Sequence, residues 1–280
     1  MKLNCIFAHC FVEYYMRKIL LSILVAVLVA SCSPYQKLLK SNDYELKYTK
    51  ALEYYDAKQY LKANTLFEEL VSVFRGSDKA EKVIYTYAES LYKLKDYVMA
   101  QYYYALLVKD YPGSTMADEA QFKNAYCYYL ISPKPRLDQT DTYNAINEFT
   151  NYLSIYPSGS HVDESNKLII ELRDKLVYKS YLNAKLYYNL GNYMGNNYLS
   201  AVIAAQNSMK DFPDTKYREE LSFLILDSKY IQAMNSVEEK RMDRLRDCLD
   251  EYYSFANEFP ESTYMKKAKK IYEETSSLLN

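Results

Sequence analysis

Cysteine and histidine, the side chains best suited to nucleophilic and metal chemistry, are scarce in this sequence, which contains five Cys and two His among 280 residues. Cys127 and Cys248 lie far apart without a CxxC spacing, and His161 has no cysteine near it, so neither a disulfide framework nor a zinc site is indicated. Adjacent carboxylates such as Glu68 and Glu69 point to different sides of a helix and do not form a catalytic dyad. GxGxxG, Walker and GxSxG motifs are missing from the sequence. We therefore predict no enzyme activity, no metal and no cofactor.

Cys32 is the cysteine whose neighbours indicate a specific modification. A short basic start, Met16-Arg17-Lys18, precedes an apolar run over residues 19–30, which ends at Val29-Ala30-Ser31-Cys32. A basic segment, a short apolar segment and small residues before a cleavage point are typical of a signal peptide. The last four residues resemble the bacterial lipobox, in which the cysteine thiol is diacylated and the cysteine becomes the new N-terminus. We predict a signal peptide over residues 1–31 and lipid attachment at Cys32; an uncleaved anchor with an unmodified cysteine is the alternative.

The first fifteen residues do not fit a signal peptide, because Glu13 and two tyrosines precede the basic start. We expect translation to begin at Met16 and the mature chain to begin at Cys32, with residues 32–42 as a lipidated tether. Ser33, rather than an aspartate, follows the cysteine. By resemblance to lipoprotein sorting rules, this residue favours the inner leaflet of the outer membrane, so that the chain faces the periplasm.

The remainder of the chain has the composition of a globular helical protein and carries a repeat. Almost half of the residues are apolar, a quarter are charged, and Gly and Pro number only 5 and 7. The net charge of −1, without a long basic run, argues against binding to nucleic acid. A pattern of three positions recurs five times along the chain. It consists of a small residue, a second residue four positions later, and a turn residue eight positions after the second. The five sets are Ala63-Phe67-Arg75, Ala100-Tyr104-Pro112, Ala145-Phe149-Pro157, Ala201-Ala205-Pro213 and Cys248-Tyr252-Pro260.

These spacings are those of the second helix of a tetratricopeptide repeat, in which a small residue lets two helices cross closely and an aromatic ring fills the groove beside it. A matching small residue marks the first helix of each repeat. These residues are Ala51, Ala88, Ala125, Ala184 and Ser228. In the third repeat, Pro133 and Pro135 forbid a continuous helix and indicate an insertion over residues 132–141.

The fold that follows is all-α, a superhelical solenoid of five tetratricopeptide-like helical hairpins over residues 43–280. We expect the repeats at about 43–76, 77–113, 114–158, 159–214 and 215–262, followed by a C-terminal helix near Lys266–Leu279.

A lipobox followed by five such repeats, with a proline-containing insertion in the third, resembles the BamD family of outer-membrane β-barrel assembly lipoproteins over residues 32 to about 275. The resemblance implies a scaffold that docks on the barrel-forming subunit BamA and receives unfolded outer-membrane proteins. Arg75 in place of proline and the high tyrosine content depart from the family. Two alternatives remain, namely another cell-envelope adaptor of the cell-division or peptidoglycan-associated type, and a SusD-type glycan-binding lipoprotein. The lack of tryptophan, the commonest sugar-stacking ring, argues against the second.

Tyrosine, with 34 copies, is the most over-represented residue. In the first helices of repeats one to four, the positions three before and four after the small residue share one helix face, and all eight are aromatic. By resemblance to tetratricopeptide repeats, that face lines the concave groove. The rings either bind an extended apolar peptide, such as the terminal strand of a β-barrel, or fill space between repeats. The predicted peptide groove comprises Tyr48, Tyr55, Tyr85, Tyr92, Phe122 and Tyr129, and the face continues to Tyr181 and Tyr188.

Overall fold

The computed structural model describes residues 34–279, which form twelve α-helices and no β-strand. The predicted all-α class is confirmed. Met16, Cys32 and the predicted signal peptide lie outside the described residues. The helices are α1 (Pro34–Leu39), α2 (Tyr44–Asp56), α3 (Tyr60–Val73), α4 (Ala80–Lys93), α5 (Tyr97–Asp110), α6 (Ala117–Ile131), α7 (Thr140–Ile155), α8 (Val162–Leu190), α9 (Asn197–Asp211), α10 (Arg218–Met234), α11 (Glu238–Glu258) and α12 (Met265–Leu279).

The chain divides into two compact units at Ala120. In the first unit, α2 pairs with α3 and α4 pairs with α5, while α3 also packs on α4. In the second unit, α7 packs on α8, α8 on α9, α9 on α10, α10 on α11, and α11 on α12. Each of these helices therefore buries its apolar face against its neighbours in sequence, as the helical hairpins of a repeat protein do.

The small residues that define the repeat lie where helices cross. All five in the first helices, and all five in the second helices, are fully buried. An alanine at such a crossing brings two helix backbones close together, because its side chain ends at the methyl group. The sequence spacing thus corresponds to a packing requirement.

The recurring turn between repeats is held by a hydroxyl residue in two ways. The backbone N–H of Ser77 donates to the carbonyl of Phe74 over 2.9 Å, and the Ser77 hydroxyl accepts from the N–H of Lys79 over 3.2 Å. These bonds satisfy a carbonyl left free at the end of α3 and an N–H group just before α4. The same pair of bonds forms at Tyr111 and Ser114, at Phe212 and Thr215, and at Phe259 and Ser262.

Helix α1 lies within the segment that the sequence assigns to a tether, and it packs on the first repeat. The Tyr35 hydroxyl donates to the backbone carbonyl of Lys62 over 3.1 Å, and the Tyr35 ring meets that of Tyr54 edge-on at 5.5 Å. Leu38 is buried beneath the helix. From Pro34 onward the segment is therefore part of the folded first unit.

Candidate functional site

Tyr55 and Tyr92, each four residues after a buried alanine, occupy equivalent positions in the first unit. Their ring centroids lie 5.6 Å from those of Tyr60 and Tyr97, the first residues of α3 and α5. Both predicted groove residues are half-buried. One part of each ring packs within its own hairpin, and the remainder is accessible.

Tyr48 and Tyr85, the other two predicted groove residues of the first unit, pack against the second helix of their repeats. Tyr48 meets Phe74 edge-on at 5.7 Å, and Tyr85 meets Tyr104 at 6.1 Å. The ammonium of Lys79 lies 5.4 Å from the ring centres of both Tyr48 and Phe74, which suits a cation–π contact. These rings are also half-buried, so all four tyrosines combine packing with a partly accessible face.

The carboxylate of Glu89 connects the first two repeats. It is buried, accepts a hydrogen bond from the Tyr104 hydroxyl, and accepts a longer one of 3.4 Å from the Tyr55 hydroxyl. A buried carboxylate needs such donors, because its desolvation is costly. The Tyr55 hydroxyl is therefore engaged within the protein, and its ring is the part open to a ligand.

Phe122 differs from the groove position expected from the sequence. It is only 5% exposed, and its ring stacks on the imidazole of His161 at 3.9 Å and lies 5.9 Å from both Phe149 and Tyr152. The start of α8 and the core face of α7 cover this ring, so Phe122 contributes to the core of the second unit.

Tyr129, the last predicted groove residue, is half-buried and donates its hydroxyl to Glu171 over 2.8 Å. Burial, and then the adjacent Glu171 carboxylate, raise the pKa of Tyr129 to about 12. The Tyr126 ring stacks beside it at 5.5 Å. The contact joins α6 to α8 and therefore the third repeat to the fourth.

A similar contact joins the fourth repeat to the fifth and to α12. The Tyr188 hydroxyl donates to the buried carboxylate of Asp227, which also accepts from Lys267 over 2.7 Å. Burial and the neighbouring Asp227 raise the pKa of Tyr188. Tyr181, on the same helix face, stacks on Tyr217 at 4.4 Å.

These tyrosine–carboxylate contacts do not follow from the spacing of the repeat residues in the sequence. A signal was present, because Glu89 follows Ala88 and Asp227 precedes Ser228, each beside a small residue on a buried helix face. A carboxylate at such a position requires donors from a neighbouring element. Local periodicity does not say which element supplies them.

The insertion between α6 and α7 is an ordered loop, fixed by the buried side chain of Gln139. Its amide nitrogen carries two hydrogens and lies within hydrogen-bond distance of three backbone carbonyls of the loop, those of Lys134 at 3.0 Å, Leu137 at 3.0 Å and Asp138 at 3.2 Å. The Lys134 carbonyl also accepts from Leu137 N–H, and the Leu137 carbonyl also accepts from the ammonium of Lys179 on α8. Together these bonds satisfy loop carbonyls that lie outside any helix.

A chain of side-chain hydrogen bonds connects the same glutamine to α8. The Thr142 hydroxyl donates to the Gln139 carbonyl oxygen over 2.7 Å and lies 2.5 Å from the Ser132 hydroxyl. Ser132 in turn accepts from the ammonium of Lys175 over 2.8 Å. Burial lowers the pKa of Lys175. The loop is thereby fixed against the long helix before any partner binds.

An open, mainly apolar cavity of about 360 Å³ lies between this loop and α8. Leu137 and Tyr178 are exposed at its wall. Lys134 and Arg136 stand at the rim, and neither forms an ion pair among residues 34–279. The cavity is lined by Lys134, Pro135, Arg136, Leu137, Tyr178 and Leu182.

The described residues contain no group of three or more His, Cys, Asp or Glu placed to hold a metal ion. Cys127 and Cys248 are free and buried. Burial raises the pKa of the Cys248 thiol to about 11, which lowers its reactivity as a nucleophile. Over residues 34–279, every helix is too short or too polar to cross a membrane.

Comparison with known proteins places this arrangement in a family. A family model named YfiO and described as an outer membrane lipoprotein matches residues 41–195. The crystal structure of a tetratricopeptide-repeat protein from Bacteroides fragilis NCTC 9343 is similar, with 13% identity, coverage of 85% of this chain and 100% of that chain, and a TM-score of 0.38. No curated protein matches the chain. Because the family match spans more than half of its 280 residues, the chain belongs to the YfiO family of outer membrane lipoproteins.

Proposed function

We propose that the chain is a periplasm-facing scaffold and substrate receptor in the assembly of β-barrel outer-membrane proteins. It holds a barrel-forming, BamA-like subunit and receives unfolded outer-membrane proteins, and it catalyses no reaction. The observation that carries the proposal is the family match, which begins before α2 and ends after α8, so that it comprises the first three repeats and the long helix of the fourth.

The substrate face consists of the half-buried rings of the first unit, Tyr48, Tyr55, Tyr85 and Tyr92. Their inner parts pack on neighbouring helices, which fixes their orientation without a ligand. Preoriented aromatic rings bind an extended apolar segment at a low entropic cost. Tyr129 would present a similar ring in the second unit, whereas Phe122 belongs to the core.

The partner face lies on the insertion between α6 and α7. Its loop is held by Gln139 and presents an exposed leucine beside an apolar cavity with two cations at the rim. A rigid apolar projection with a charged rim has the composition of a protein interface. We assign this face to the barrel-forming subunit.

Site-specific photocrosslinking in cells tests both assignments. A photoreactive phenylalanine analogue at Tyr92 should form adducts with unfolded β-barrel proteins, and the same analogue at Leu137 should form adducts with the barrel-forming subunit. Tyr253 is the matched control, because it is an exposed tyrosine on α11 outside both faces. It should yield neither adduct.

The identity of the Leu137 adduct also separates the alternatives. If the adduct is with a cell-division or peptidoglycan-associated protein, the chain is a different envelope adaptor. If the adduct is with a carbohydrate porin, the chain has a role in glycan uptake. Equal labelling from Tyr92 and Tyr253 would contradict the substrate face.

A further inference from the structure

The first unit carries a small apolar pocket beside its first described residue. The pocket has a volume of about 290 Å³ and is open to solvent. It lies between α1 and α2, and the exposed side chain of Leu46 stands at its wall. Its lining residues are Pro34, Lys37, Leu38, Ser41, Leu46, Lys50 and Tyr54, which include no carboxylate.

The position of α1 is fixed relative to this pocket. Tyr35 is held by its hydrogen bond to the backbone of Lys62 and by its edge-on contact with Tyr54. The ammonium of Lys62 lies 5.7 Å from the ring centre of Tyr35 and 5.2 Å from that of Tyr54. Pro34 is thus rigidly attached to the first repeat, and any constraint on Pro34 also constrains that repeat.

A covalent constraint acts two residues upstream. Two extended residues span at most about 7 Å, so the Cα of Pro34 stays within that distance of the Cα of Cys32. The headgroup layer on each side of a bilayer is of comparable thickness. A lipid on Cys32 therefore keeps the start of α1 within about the thickness of the headgroup layer from the anchored residue.

The charges around the pocket suit an anionic membrane surface. Lys37 and Lys40 are exposed, and neither forms an ion pair within the described part of the chain. Glu45 pairs with Lys79, and Glu53 pairs with Lys50. Asp43 accepts a hydrogen bond from the N–H of Leu46 and forms no ion pair within the described residues, so two unpaired lysines stand beside one unpaired carboxylate. Basic residues next to a lipid anchor strengthen binding to anionic phospholipids.

We propose that α1 and the adjoining pocket form a membrane-docking surface, which binds the headgroups of anionic phospholipids and sets the orientation of the first unit on the leaflet. Lys37 and Lys40 contact the phosphates, while Leu46 enters the interface between headgroups and acyl chains. The proposal rests on the proposed outer-membrane function and on the lipid attachment at Cys32 that the lipobox predicts, and it adds a second, non-covalent contact.

Tryptophan fluorescence tests this docking directly, because the chain contains no tryptophan. The full-length lipoprotein with Leu46→Trp is reconstituted into vesicles of brominated phosphatidylcholine and phosphatidylglycerol. Its fluorescence should be quenched by the bromines and shifted to the blue. Leu278→Trp is the control, because Leu278 is 45% exposed and Leu46 is 44% exposed; it should be neither quenched nor shifted.

Charge reversal tests the headgroup contact. Lys37→Glu with Lys40→Glu should reduce the quenching of the Leu46→Trp protein by half or more on vesicles that contain phosphatidylglycerol. Lys266→Glu with Lys269→Glu makes the same charge change at the same spacing on exposed residues of α12 and should leave the quenching unchanged.

Mass spectrometry of the N-terminal peptide distinguishes the two possible failures. If the protein is acylated at Cys32 but the Leu46→Trp variant is quenched no more than the Leu278→Trp variant, the docking surface is overturned and the lipid anchor stands. A protein without an acyl group on Cys32 would overturn the anchor as well as the docking surface.

Discussion

Four tyrosine hydroxyls donate to carboxylates that stand in the following repeat or in the C-terminal helix. The pairs are Tyr55 with Glu89, Tyr129 with Glu171, Tyr188 with Asp227, and Tyr230 with Glu274. A well-formed hydrogen bond to a buried charged acceptor, such as that of Tyr188 to Asp227, contributes about 1.5–3 kcal/mol. The 3.4 Å contact of Tyr55 and the exposed contact of Tyr129 contribute less. Apolar faces alone would tolerate small sliding movements between helices, whereas these contacts require one alignment. The tyrosine contacts therefore fix the alignment of helices that the small residues bring close together.

Tyr188→Phe removes the hydroxyl that donates to buried Asp227 and keeps the ring. We expect the free energy of unfolding to fall by about 1–3 kcal/mol, because a buried carboxylate loses one of its donors. Urea denaturation followed by circular dichroism measures the change. Tyr187→Phe, at an exposed neighbouring position, should change stability by much less, and equal losses in the two variants would contradict the assigned role.

The raised pKa of Tyr129 predicts that the free energy of unfolding falls at alkaline pH. Its pKa is raised from 10.0 to about 12 in the folded protein, so the neutral hydroxyl is stabilised by folding. That contribution is complete below pH 10 and is lost as the pH rises from 10 towards 12. The unfolding free energy of Tyr129→Phe should therefore fall less steeply across this window than that of the unmodified protein. Tyr143→Phe, which changes an exposed tyrosine, should show the same dependence of unfolding free energy on pH as the unmodified protein.

At the level of helices, the sequence predicts those features that depend on local spacing. The small residues at positions such as Ala63 and Ala100 mark helix crossings because close approach excludes larger side chains, and a turn with a hydroxyl residue follows from backbone groups left free at a helix end. The burial of Phe122 and the identity of the hydrogen-bond donors to Glu89 depend on which other helices pack against these residues. That information is held in contacts distant in sequence, so periodicity could not supply it.

The ordered insertion loop allows a test at this scale. Gln139→Ala removes an amide whose two N–H groups are shared by three loop carbonyls. Two of these carbonyls also accept from Leu137 N–H and from the Lys179 ammonium. Hydrogen–deuterium exchange should increase over residues 132–139, and the free energy of unfolding should fall by about 1–3 kcal/mol. Gln206→Ala, at an exposed position on α9, should change neither quantity. Unchanged exchange in the loop of Gln139→Ala would show that other contacts hold it.

For the whole molecule, the family assignment and the repeats describe an outer membrane lipoprotein built from helical hairpins. The sequence predicts both the attachment point and the fold, because a segment that resembles a lipobox precedes the repeats. The surfaces that meet partners are harder to predict. A half-buried tyrosine and a core tyrosine have the same sequence pattern, and only the packing of neighbouring helices distinguishes them.

Cys32→Ser tests attachment for the entire chain. The variant cannot carry a thioether lipid, so we expect it to lack labelled palmitate, to retain its signal peptide and to be missing from the outer-membrane fraction. Cys127→Ser is the matched control, because Cys127 is buried on α6. This variant should leave labelling and fractionation unchanged. Palmitate on the Cys32→Ser protein would contradict the assigned site.

The pairing of each helix with its sequence neighbours also affects how the protein folds. Contacts between neighbours close short loops, and proteins dominated by such contacts fold in microseconds to milliseconds. The two helices of a hairpin such as α2–α3 contact each other, and α3 then packs on α4, the next helix to emerge. A chain exported with its N-terminus first could therefore fold one hairpin after another as it emerges, before its last residues have crossed the inner membrane.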